Sequence, residues 1–341
     1  MNESLLKRVC NAPGVSGFEE PVQTIVSEAL KSCCDEVASD RMGNVVGVRK
    51  AAVSPQDGKE PIRLMIAAHA DEVGLMVKHI DGKGLIHFIQ LGAVNPQVAQ
   101  SQRVTIHGTK PVRGVIVPKK EKEKVKLNDL LIDTGLPKEE LTELVSVGDV
   151  ATFEDDVSVL NDNMWVGRNF DDRIGTYCLL EAMRQVGNTQ VEVHAVSSVQ
   201  EEVGVRGVGP AAFACAPDIG IAIDGSLTRG AYVEDKDNLC ELGKGTGIYM
   251  IDKLTIGHPR LVRYLFDLCE KHNIPYQRNI GGGTDAQAMQ QSRGGVIATT
   301  IGAPVRYMHS TVQLCNADDV DATVALLIKF MENAHEFMNS L

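Results

Sequence analysis

The 341 residues suffice for one large core or two, and 43% hydrophobic with 23% charged residues is the composition of an ordinary globular protein. A formal net charge of −11 disfavours nucleic acid and anionic membrane as partners. No run approaches the roughly 20 apolar residues of a spanning helix, and MNESLLKRVCNAPG lacks the basic and apolar regions of a secretory leader. The eight cysteines (Cys10, Cys33, Cys34, Cys178, Cys215, Cys240, Cys269 and Cys315) form no CxxC pair, and several sit inside apolar helical patterns. They read as reduced core thiols, and the expectation is a cytoplasmic protein.

In chain order, helical periodicity covers Ser4 to Cys10 and Glu19 to Ser32, where VQTIVSEAL places apolar residues at i, i+3, i+4 and i+7. After the turn-rich loop SPQDGKEP, RLMIAAH is a short apolar strand suited to burial on both faces. From Val73 to Glu154 the texture becomes strand-rich: VGLMVKHI, GLIHFIQL, QRVTIHG, VRGVIVP and VGDVATFE are separated by Gly, Pro and Asp turns. One clear helix, PKEELTELV, interrupts them near Leu136, and the charge run KKEKEKVK from Lys119 predicts a solvated hairpin tip. Alternation then resumes with a helix after Asp172, strands VEVHAVSSVQ and DIGIAIDG, helix HPRLVRYLFDLCEKH, strand GGVIATTIG and a long terminal helix from Asp319. Alternating strands and helices predict an α/β fold with a mostly parallel sheet flanked by helices, formed by both chain ends and interrupted by a small β domain.

Five apolar strands end in metal-binding residue types: His69 and Asp71, Asp171 and Asp172, Glu201 and Glu202, Asp224, and His309. In an open α/β sheet, residues just past the carboxyl ends of strands converge on one crevice. Charges there are unfavourable unless paired or bound to a cation. Two histidines with several carboxylates suit zinc, cobalt or manganese, and a two-metal site needs one carboxylate as a bridge. Each segment alone has a plainer reading. His69 could be a satisfied core histidine, Asp171-Asp172 a helix cap, Glu201-Glu202 a solvated strand end and Asp224-Gly225 a turn. All of these would have to hold together for the site to be absent. GVRGVG from Gly204 and GGGT from Gly281 match neither a dinucleotide nor a phosphate loop, and read as tight turns near the site.

The ordered set AAHADEVG, FDDRIG, VQEEVG, AIDG, NIGGGTDA and VRYMHS resembles the tetrahedral aminopeptidases, the glutamyl and deblocking aminopeptidase family of co-catalytic metallopeptidases. Relatives of that family sometimes carry cellulase or endoglucanase labels. The resemblance spans nearly the whole chain, including LGAVNPQVAQSQRVTIHG and LIDTGLPKEE. It implies that His69 and Asp224 ligate one metal, Glu202 and His309 the other, and that Asp171 bridges them. It implies Glu201 as general base, Asp71 as the orienting partner of His69, and a cis Asp171–Asp172 bond. It further implies a zinc-peptidase-like catalytic domain at 1–70 and 166–341, with a β-barrel-like insert at 71–165 for dimerisation and assembly. Two divalent ions per subunit (zinc or cobalt, with manganese a third candidate), short-peptide substrates and a dodecamer built from dimers complete the expectation. Two departures stand out: Gln313 where the family often has Glu, and Asn169-Phe170 where Ala-Leu is frequent. Both are expected away from the ligands. The rivals are a glycosidase, which uses carboxyls roughly 5–9.5 Å apart without histidine ligands, and a non-catalytic metal-binding assembly protein, which would have no use for Glu201.

Overall fold

The computed structural model describes residues 1–52, 60–120, 124–228, 230 and 240–341. Helices α1 (Glu3–Asn11) and α2 (Glu20–Lys31) precede strands β1 (Glu36–Ser39), β2 (Val45–Arg49) and β3 (Arg63–His69). Strands β4 (Gly74–Ile80), β5 (Ile86–Leu91), β6 (Arg103–His107), β7 (Pro111–Pro118), β8 (Leu130–Asp133) and β9 (Val150–Phe153) follow, with short helices α3 (Pro96–Ala99) and α4 (Lys138–Leu144) between them. Next come β10 (Ser158–Asn161), β11 (Met164–Gly167), α5 (Phe170–Gln185), β12 (Glu192–Ser198), α6 (Val208–Cys215), β13 (Ile219–Ile223) and β14 (Ser226–Thr228). The chain ends with β15 (Thr246–Ile251), α7 (Pro259–His272), β16 (Tyr276–Ile280), α8 (Ala286–Gln290), β17 (Ile297–Gly302), β18 (Pro304–Arg306), β19 (Gln313–Asn316) and α9 (Ala317–Asn339).

The main sheet has the order β1-β2-β12-β3-β13-β17-β15-β16. Its central strands β12, β3, β13 and β17 run parallel, as does the β15–β16 pair. The period-2 alternation of strand side chains divides the core. Leu64, Ile66 and Ala68 of β3 join the large cluster that contains α1, α2, α5, α7 and α9. Met65 and Ala67 point the other way, onto Ala211 and Ala212 of α6 and Met289 of α8. Small alanines on that second face let both short helices sit close to the sheet.

Strands β4 to β9 close into a barrel, β4-β5-β8-β7-β6-β9, around Leu75, Ile86, Val104, Ile106, Ile116 and Ile132. Strands β10 and β11 leave the barrel and join a second sheet, β10-β11-β19-β18-β14. The expected hairpin run links β7 to β8; Glu121–Glu123 lie outside the described residues, while Lys119, Lys120 and Lys124 are exposed. Most of SPQDGKEP, residues 54–59, is also outside them. Helix α6 begins inside GVRGVG, so that motif is a turn followed by the first turn of a helix, whereas GGGT is loop leading into α8.

Candidate metal centre

Every strand-end segment singled out above delivers its side chain to one place. His69 is the last residue of β3, and Asp224 directly follows β13, its parallel neighbour. Glu201 and Glu202 lie just past β12 on the other side of β3. Asp171 sits at the start of α5, where the Asp171–Asp172 peptide is cis, and His309 follows β18. Two ligand sets result: His69, Asp171 and Asp224, and Asp171, Glu202 and His309, each with its candidate atoms within 4.8 Å of one another. Asp171 belongs to both. Its Oδ1 lies 3.3 Å from His69 Nε2, and its Oδ2 lies 3.1 Å from His309 Nε2.

Tautomers can be assigned from the surroundings. His69 Nδ1 is 3.1 Å from the Asp71 carbonyl oxygen and 3.4 Å from Asp71 Oδ1, both of which can only accept, so Nδ1 carries a proton. Nε2 then offers its lone pair toward Asp171. His309 Nε2 likewise faces Asp171 Oδ2 and, at 3.3 Å, Glu202 Oε2. A ring lone pair pointing at carboxylate oxygens is repelled unless a proton or a cation lies between them. The acids report the same demand. Burial pushes Glu202 up to about 8, aided by the Asp171 charge, and raises Asp224 and Glu201 well above the ordinary carboxyl range. Burial opposes the charge on His309, yet its hydrogen bond to Asp171 and the Asp171 and Glu202 charges lift it to about 9. Glu202 Oε1 is buried and has no hydrogen-bond partner among the described residues. An oxygen- and nitrogen-donor set with this excess of buried negative charge fits divalent cations.

The ligand sets open into a cavity of about 500 Å³ walled by Leu227, Tyr249, Leu254 and Met308, with Glu201 also on its surface. A larger groove of about 830 Å³ runs between α2 and the barrel past Phe18, Met42 and His107. The chemistry belongs to the smaller cavity, because among the described residues histidine and carboxylate ligand atoms converge there.

Whole-chain comparison settles the lineage. The model of the M42 glutamyl aminopeptidase family matches residues 43–326. The chain belongs to this family. A lysyl aminopeptidase of Pyrococcus furiosus is 34% identical over 345 residues, which cover 96% of either chain. Aminopeptidase APDkam598 from the archaeon Desulfurococcus kamchatkensis is 35% identical, with a TM-score of 0.94 over 99% of this chain and 96% of that one. The TET1 peptidase of Pyrococcus horikoshii, described as able to assemble into a tetrahedron or a large octahedral shell, is 28% identical with a TM-score of 0.84 over 96% and 98% of the two chains. This M42 protein is therefore a peptide hydrolase, a metalloaminopeptidase.

Several polar residues take roles at the M42 site that the sequence motifs did not assign. Asp285, within NIGGGTDA, is buried and accepts a hydrogen bond from Ser198 Oγ, while its other oxygen has no partner among the described residues. Asp71 does more than face His69. Its Oδ1 accepts the Glu201 N–H at 2.9 Å and its Oδ2 accepts the Glu202 N–H at 3.1 Å and the Ser16 hydroxyl at 2.6 Å. The expectation that Gln313 stands clear of the ligands is corrected. Gln313 Oε1 accepts the Asp171 N–H at 2.8 Å, and its Nε2 donates to the Arg168 carbonyl at 3.1 Å. A glutamine makes both bonds because one end accepts and the other donates; an ionised glutamate could make only the first. Asn169 reaches away from the ligands, to the Cys10 carbonyl at 2.8 Å. None of these partners is encoded locally, since each comes from a distant stretch of chain.

Proposed function

We propose that this chain is an exo-acting aminopeptidase that holds two divalent cations and removes N-terminal residues from short peptides. The observation that carries the reading is the double role of Asp171, whose two oxygens face two different histidines in two ligand sets. His69 and Asp224 would hold one ion and Glu202 and His309 the other, with Asp171 available to both. When bound, the pair of cations supplies an acidified water and polarisation of the scissile carbonyl. Glu201, 3.9 Å from His69 Nε2 and outside both ligand sets, takes the proton of the attacking water and returns it to the leaving amine. Asp71 keeps the proton on His69 Nδ1, which leaves Nε2 free to ligate. The excess of buried carboxylates anchors the free α-amine of the substrate. The first side chain of the peptide enters the space walled by Leu227, Tyr249, Leu254 and Met308.

Zinc or cobalt suits this donor set best, with manganese as the third candidate. The division into a catalytic domain of 1–70 and 166–341 and an insert within 71–165 belongs to the same reading. The insert's barrel serves dimerisation and assembly, and the particle is a dodecamer built from dimers. All eight cysteines are free, and no described helix is long and apolar enough to cross a membrane, which supports placement in the cytoplasm.

The test is to strip the protein with a chelator and titrate Zn²⁺, Co²⁺ or Mn²⁺. Bound metal per chain is measured alongside hydrolysis of aminoacyl-p-nitroanilides and their N-acetylated counterparts. Two ions per chain, with cleavage restored only on free-amine substrates, is the expected result. Saturation at one ion, or equal cleavage of acetylated substrates, would refute the two-ion or the exo-acting part respectively.

A further inference from the structure

Building on the assignment of Glu201 as the base, the structure points to residues outside the cavity that fix where that base stands. Residues 199–202 leave the main sheet at the end of β12. All four of their backbone N–H groups are accepted by side chains from elsewhere. Val199 donates to Asn44 Oδ1 at 3.0 Å, Gln200 to Glu19 Oε1 at 3.1 Å, and Glu201 and Glu202 to the two oxygens of Asp71. The carbonyls of the segment close onto the loop that follows. Val199 accepts from Gly207 N at 3.0 Å, Gln200 from Arg206 N at 3.1 Å, and Glu201 from Gly204 N and Val205 N at 2.9 and 2.8 Å. Gln200 has φ of +56°, a left-handed conformation that is held only where the surroundings determine it.

The acceptors are themselves immobilised. Glu19 Oε1 also takes the Gly17 N–H at 2.7 Å, and Asn44 Nδ2 donates to the Gly207 carbonyl at 2.9 Å and to Asp40 Oδ2 at 2.6 Å. Both residues are buried, and neither lines the cavity. Position 207 admits only glycine, because a Cβ there would lie 2.3 Å from the Val199 carbonyl oxygen and 2.5 Å from Asn44 Oδ1. A main chain bonded in this way has no strand neighbour to set its register. Its position is set by the side-chain oxygens it donates to.

We propose that Glu19 and Asn44 are positioning residues for the peptidase reaction, holding the 199–202 main chain so that the Glu201 carboxylate meets the attacking water. Both Glu19 bonds go to a single oxygen, so acceptor placement, rather than charge, is what the site uses. This separates the substitutions. Glu19→Gln keeps an oxygen at the same reach, Glu19→Asp keeps the charge but shortens the reach, and Glu19→Ala removes both.

The experiment measures kcat, KM, metal per chain and melting temperature on metal-loaded protein, with amide hydrogen exchange across 199–202, for E19Q, E19D, E19A and N44A. E19A and E19D are expected to lower kcat about 10-fold or more, the effect of leaving the buried Gln200 N–H without its acceptor, with KM within about twofold. Metal content should not change, and E19Q should stay within about threefold of the parent. The amides of residues 199–202 should exchange at least about tenfold faster in E19A and N44A, and at the parent rate in E19Q. E19Q falling as far as E19A, a loss carried by KM or by metal content, or unchanged exchange in E19A and N44A would each overturn the proposal. If E19A does not fold, the contrast between E19Q and E19D decides in the same way. If the parent cleaves no peptide, it is the aminopeptidase reading that fails, and the exchange rates still decide whether the segment is clamped.

Discussion

Glu201 and Glu202 are neighbours in sequence with different surroundings. Glu202 Oε2 lies 3.3 Å from His309 Nε2 and belongs to a ligand set, whereas Glu201 reaches only to 3.9 Å of His69 Nε2 and faces the cavity. Burial raises both carboxyls, so each depends on nearby positive charge to stay ionised. Replacing Glu201 by Gln keeps the shape and removes the proton acceptor. Kinetics on the metal-loaded variant should show kcat lower by roughly 10²–10⁴-fold, the usual contribution of a general base. A melting temperature at or above that of the parent is expected, because a buried carboxyl has become a neutral isostere. Full turnover by this variant would remove Glu201 from the mechanism. The candidate residues themselves were legible because each is a charged or imidazole side chain at the end of an apolar run, a place where such groups are unfavourable without a partner. Asp285, Glu19 and Asn44 gave no such signal, since polar residues in loops and helix starts are ordinary.

At the scale of elements, the site depends on how the N-terminal helices are tied to β3. Arg173, two residues past Asp171, is fully buried. Its Nε donates to the Ala70 carbonyl at 2.5 Å, between His69 and Asp71. Its Nη1 donates to the carbonyls of Val9 and Ala12 at 2.6 and 2.9 Å. Glu72 balances its charge at 3.5 Å and pairs with Arg168 at 3.0 Å. Arg173→Met would strand Glu72 beside one cation and leave three carbonyls without donors. Chemical denaturation should register a loss of about 3–5 kcal/mol, the typical effect of breaking a buried ion pair from one side. A change below about 1 kcal/mol would mean that Glu72 and Arg168 suffice alone. The long elements were readable from periodicity: α1, α2, β3, α5, α7 and α9 all lie where the apolar spacing put them. Strands β1, β2, β8, β10, β11, β14, β15, β16, β18 and β19 were passed over. They are three to six residues long, too short to show a clear period, and most are stabilised by a partner far away in sequence, as β19 is by β11, although β10 pairs with the adjacent β11.

For the whole molecule, the open question is what covers its exposed apolar surface. Ile251, Leu254, Ile256 and Ile280 are exposed together where β15 and β16 end, beside the mouth of the cavity. A patch of this kind marks an interface more often than a solvated face. Mass photometry at working concentration should find a particle of twelve chains, with dimers as the intermediate on dilution. A monomer across the whole concentration range would refute assembly.

The α/β class, the strand-rich middle and the set of metal-binding residue types follow from hydrophobic period and the unfavourable burial of charge, which are local properties. Which strands are neighbours, how six strands close into a barrel, and that one aspartate stands between two histidines follow from the folded chain. It also decided that the base-bearing segment is held by oxygens from Glu19, Asn44 and Asp71. Those facts rest on contacts between residues far apart along the chain, and no window of sequence contains both partners.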